Sequence, residues 1–176
     1  MSDTFITIIA IFLAAILMFI FPLMSLADRN DDITKLTVQT ATTEFVDEIR
    51  KTGKLTLDQY NSFNSSIAAT GNAYDVEIEF KILDENPAKK TSNSTGITVI
   101  GENVYYSVYT TQIEDKLSNN RGNEYLLKEG DIVSVSVKNR SATLAQTLRN
   151  VYYKVTGNNT YTIAASSAGT VTVNGK

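Results

Sequence analysis

Residues 4–27 read TFITIIAIFLAAILMFIFPLMSLA, a run with no charged side chain in which almost every position is Ile, Leu, Phe, Ala or Met. At about 1.5 Å of rise per residue, a helix over this stretch is long enough to cross a bilayer core of roughly 30 Å. A helix that is apolar on every face must also be buried on every face, and the rest of the chain, Asp28 to Lys176, is the length of one compact domain, too small to wrap it. Lipid or the core of a filament meets that demand. Pro22 falls inside the run, where its ring removes one backbone hydrogen bond and is expected to kink or loosen the helix. Ser25-Leu26-Ala27 has the small residues of a signal-peptidase site. However, no Lys or Arg precedes Arg29, and the run exceeds the usual apolar length of about 7 to 15 residues, so a retained helix beginning at Met1 is the expectation.

Beyond Asp28 the sequence stays favourable to helix as far as Lys51, with Ile33, Leu36, Phe45, Val46 and Ile49 as a narrow apolar stripe and Gly53 as a stop. Three regions follow: 1–27, a transmembrane or filament-core helix; 28–53, its amphipathic continuation; and 54–176, a globular strand-rich head. The two helical regions together predict a rod of roughly 70 Å.

Within the head, Thr56-Leu57-Asp58-Gln59 has the spacing of a capping box and predicts a helix through Tyr60, Phe63 and Ile67 to Gly71. Val76, Ile78, Phe80 and Ile82 alternate with Glu77, Glu79 and Lys81, as in a half-buried strand; Val133, Val135 and Val137 do the same after the turn Lys128 to Asp131. Asp84 to Gly96 reads as an exposed loop, Ile97 to Ile100 and Val104 to Tyr109 as short strands, and Thr111 to Leu117 as a short helix. Ser141 to Val151 has helical spacing, and Tyr161 to Ile163 with Thr170 to Val173 reads as a terminal hairpin. The predicted class is α+β: a long N-terminal helix, a small helix and a mostly antiparallel, β-rich head.

The chain has no Cys, His or Trp, which removes thiol and histidine catalysis, the usual zinc sites and any disulfide framework. Its net charge of −3 is made of interspersed signs, with no basic stripe to follow a phosphate backbone, so no nucleic-acid partner is expected. No catalytic residue, cofactor or metal is expected, and the chain is not read as an enzyme. Asp28, Asp31 and Asp32 lack the glycine-centred loop of a calcium site and read as a solvated collar. Glu77 and Glu79 share a strand face without being a catalytic pair. Tyr105, Tyr106, Tyr109, Tyr152 and Tyr153 suit a stacking surface, with partial core burial the expected use. Asn64, Asn93, Asn139 and Asn158 meet the N-glycosylation pattern, as a chain rich in Asn, Ser and Thr does by chance.

The apolar helix starting almost at residue 1, Pro22 within it, the continuation to Lys51 and the strand-rich head together resemble the type IV filament superfamily. In particular they resemble the pilin-like proteins of tight-adherence systems in Gram-positive bacteria. Residues 45–56 (FVDEIRKTGKLT), Tyr60, residues 70–76 (TGNAYDV) and residues 129–139 (EGDIVSVSVKN) also look like such proteins. A usual prepilin has a basic leader and a Glu five positions into its mature helix; here Asp3 is the only acidic residue before Asp28, and an unprocessed helix is expected.

The resemblance implies a structural subunit of a surface filament or pilus-like secretion apparatus. Its assembly helix packs through Phe5, Ile9, Phe12, Ile16, Phe19 and Pro22 against copies of itself or other pilin-like subunits. Before assembly the helix waits in the membrane with the head outside the cell, and pilus assembly machinery is an implied partner. Counting Lys and Arg at the flanks weakly favours the opposite orientation. The competing expectation is a membrane-anchored, extracytoplasmic ligand-binding or adhesion domain that does not polymerise.

Overall fold

A computed structural model of the chain describes residues 2–84, 105–119, 123–141, 143, 147 and 164–175. Helix α1 runs from Ser2 to Thr52, 51 residues and about 76 Å, straight through the join between the apolar and amphipathic regions. Pro22 lies inside it without ending it, because one missing donor is a loss that the flanking turns span. Gly53 stops the helix: its φ is +69° and its N–H donates to the Ile49 carbonyl at 2.8 Å.

The buried face of the second half of α1 differs from the expected stripe. Asp31, Thr34, Val38, Thr42, Phe45, Val46 and Ile49 are buried at steps of three and four, whereas Ile33 and Leu36 face outward. Nor is Asp31 part of a solvated collar: it is 5 % exposed, and its Oδ2 accepts a hydrogen bond from Thr143 at 2.7 Å. The Thr42 hydroxyl donates to the Val38 carbonyl at 2.7 Å, so this polar group is buried with its hydrogen bond made inside the helix. Helical periodicity allows several faces, and the head selects the one its own surface fits.

After Gly53, strand β1 (Lys54–Thr56) leads into α2 (Leu57–Ala68). The capping box is formed as expected, with Gln59 N–H donating to the Thr56 hydroxyl at 3.2 Å and Thr56 N–H to Gln59 Oε1 at 2.8 Å. Phe63 of α2 stacks on Phe45 of α1 with ring centroids 4.3 Å apart, which fixes the two helices to each other.

The main sheet contains β2 (Tyr74–Leu83), β3 (Tyr105–Tyr109), β5 (Ile132–Asn139) and β6 (Ala164–Thr170) in the order β3-β2-β5-β6. Every pairing is antiparallel. Between β3 and β5 the chain forms α3 (Thr110–Asn119) and β4 (Glu124–Leu126), and β4 pairs with β1 as a separate two-stranded sheet. The β2–β5 register sets Val76 opposite Val137, Ile78 opposite Val135 and Phe80 opposite Val133. Alternation therefore sends one apolar set from both strands into the core. Tyr125 of β4 closes the core against Phe80, and burial pushes its phenol up to about 12.

Strand β6 replaces the expected terminal hairpin: Thr170 ends a strand paired with β5, and Val171 to Val173 lie beyond it. Its sequence, Ala-Ala-Ser-Ser-Ala-Gly-Thr, has no apolar alternation because α1 lies close over it. A Cβ on Gly169 would come within 2.4 Å of Arg50 Nε. Gln39 Nε2 donates to the Ser166 carbonyl at 3.1 Å and Arg50 Nε to the Thr170 carbonyl at 2.9 Å, so α1 side chains cover the outer edge of this strand.

The tyrosines of β3 are also placed differently from expectation. Tyr105, Tyr106 and Tyr109 are exposed on an edge strand, and Val108 is the β3 residue that packs on the core. Apart from Asp84, Ser141, Thr143 and Thr147, the expected loop 84–96 and helix 141–151 lie outside the described residues, as do the strand 97–100, Tyr152, Tyr153 and Tyr161 to Ile163.

Candidate assembly helix

The most apolar window of α1 has a mean hydropathy of 2.9, and none of it is buried within the chain. By length and composition it is suited to crossing a membrane. Phe5, Ile9, Phe12, Ile16 and Phe19 recur at steps of four and three and so form one stripe along the helix. They are all uncovered, from 39 % exposed for Ile16 to 72 % for Phe19. Pro22 is exposed on the same helix.

That stripe is not the whole apolar surface. Ile6, Ile8, Ile11, Leu13, Met18 and Ile20 are exposed on the other sides, so the segment offers hydrocarbon in every direction. Periodicity picks out one line of contacts, but the exposure is all round, as the uncharged run predicts. The hydroxyl of Thr7 does not spoil it, because it donates to the Asp3 carbonyl at 2.8 Å, within the helix. Asp3 lies in the first turn, where a carboxylate complements the positive end of the helix dipole.

What makes the segment a rod rather than a loose tether is the continuity of α1. Its second half contributes Val38, Phe45, Val46 and Ile49 to the core that also holds Ile78, Phe80 and Val135. Any contact made by the apolar half is therefore coupled, through one unbroken helix, to the orientation of the head.

The polar face of the main sheet has the character of an ordinary strand surface. Glu77 pairs with Lys138 at 3.1 Å, and Glu79 accepts a hydrogen bond from the Ser107 hydroxyl at 2.7 Å, so each carboxylate has its own cross-strand partner. Among the described residues, no group of three or more acidic side chains is arranged to hold a metal ion. No protein-family model, curated protein or solved structure matches this chain.

Proposed function

We propose that this chain is a structural subunit of a surface filament or pilus-like secretion apparatus, assembled through the apolar half of α1. The observation that carries the reading is an apolar window with no burial inside the chain, continuous with a helix that is built into the head. Lipid covers such a cylinder before assembly, and the same helices of neighbouring subunits cover it afterwards. The head then lies outside the cell, at the surface of the filament. The partners of this reading are copies of the chain or other pilin-like subunits, the membrane and the assembly machinery.

Ile9→Asp tests the reading by placing a charge within the apolar cylinder. The expected outcome is loss of filaments from sheared-cell fractions under electron microscopy, while detergent-extracted protein keeps the circular dichroism of the parent. Filaments in undiminished number would overturn the proposal.

The exposed tyrosines of β3 favour a second reading, a membrane-anchored extracytoplasmic binding or adhesion domain. A protein that binds a glycan or peptide through Tyr105, Tyr106 and Tyr109 and never polymerises would establish it in place of the first.

A further inference from the structure

Above its membrane-length segment, α1 leaves two large apolar side chains uncovered: Ile33 is 57 % exposed and Leu36 is 68 % exposed. With Arg29 they stand at i, i+4 and i+7, one stripe on the side of the helix opposite the buried Asp31, Thr34, Val38 and Thr42. Arg29 is exposed and forms no ion pair among the described residues. A cation with apolar neighbours one and two turns on is a surface that matches a groove with an apolar floor and acidic walls.

Such a groove lies higher on the same rod, between α1 and α2, with a volume of about 330 Å³. Its floor is Ala41 and the stacked pair Phe45 and Phe63, and its walls carry Glu44, Glu48 and Asp58. Glu48 accepts a hydrogen bond from the Gln59 amide, but none of the three carboxylates has a cationic partner among the described residues. These acids are not arranged to hold a metal ion. A guanidinium, planar and carrying five donors, can engage separate carboxylates while its stem lies on apolar surface.

We propose that the Arg29, Ile33 and Leu36 stripe of one copy seats in the groove between α1 and α2 of a second, parallel copy. Ile33 covers the floor at the level of Phe45 and Phe63, Leu36 lies level with Glu48, and Arg29 stands beside Ala41, one turn below Glu44 and within reach of its carboxylate. Along α1, Ile33 stands about 18 Å below Phe45 at 1.5 Å per residue, so the second copy is displaced toward the membrane end by about that distance. The contact deepens the filament reading and rests on it. Stripe and groove are different surfaces at different heights, so every copy keeps one of each free and the contact repeats without closing, as an open helical array requires.

The absence of native cysteine allows a direct test. Two differently tagged full-length chains, one carrying Ile33→Cys and the other Ser62→Cys, are co-expressed and mildly oxidised in intact cells. The expected result is a disulfide joining the two tags, reduced at least tenfold by Arg29→Glu in the first chain and partly restored by Glu44→Arg in the second. Circular dichroism of each extracted variant checks that it is folded. Filaments without the mixed disulfide overturn the contact and leave the filament reading standing. The mixed disulfide without filaments upholds the contact between copies and overturns the filament reading. If a membrane surface covers the stripe instead, the thiol introduced by Ile33→Cys is shielded from a water-soluble maleimide and no cross-link forms, which also overturns the proposal.

Discussion

At Asp131 a carboxylate that is only 1 % exposed accepts hydrogen bonds from two backbone amides, Leu83 N–H to Oδ1 and Lys128 N–H to Oδ2, each at 2.8 Å. The first bond ties the end of β2 to the turn before β5, and the second closes the turn itself. Gly130, with φ +97°, lets the chain reverse there. Asp131→Ala leaves both amides buried without an acceptor and is expected to lower stability by about 3 kcal/mol, read as the urea midpoint of the detergent-solubilised chain. The turn residues are legible in the sequence because Glu-Gly-Asp carries turn chemistry locally. The double acceptor role is not, since Leu83 lies far from Asp131 along the chain and only the β2–β5 register brings it near.

Among the elements, α2 is the most readable and β6 the least. The capping box is written in four consecutive residues, and its bonds form among those residues alone. Thr56→Ala removes the acceptor for Gln59 N–H and is expected to cost about 1 kcal/mol, measured by thermal unfolding followed by circular dichroism. β2 and β5 are legible for a similar reason, because a period of two is a property of the segment itself. β6 is specified instead by what lies above it. The single methyl of Ala165 and the absence of a side chain at Gly169 leave room for α1 to approach, a fitness that appears only once the helix is in place. β1 and β4, three residues each, are strands because they pair with each other.

For the whole molecule, the division between apolar segment and head falls within α1. Val38, Phe45, Val46 and Ile49 belong to the core of the head, and each buried side chain of this kind contributes about 1.5–3 kcal/mol. Against a typical net stability of about 5–15 kcal/mol, their combined loss is decisive. A chain starting at Asp28 is therefore expected to fold cooperatively in water, and one starting at Lys54 to lack a cooperative transition. Urea unfolding followed by tyrosine fluorescence checks both, since the chain has nine Tyr and no Trp.

The sequence by itself determined the apolar cylinder, on which Phe5, Ile9, Phe12, Ile16, Phe19 and Pro22 are all exposed. A segment that is apolar on every side needs external cover whatever the rest of the chain does. It also determined the α+β class, through periodicities carried within single elements. Tertiary structure alone decided which side of the second half of α1 is buried, placing Asp31 and Thr34 inside and Ile33 and Leu36 outside. Hydrophobicity ranks those residues in the opposite order. The outcome follows from packing: a helix with several partly apolar faces docks by the one whose shape and hydrogen bonds the sheet, α2 and Thr143 can meet, Thr143 by its bond to Asp31.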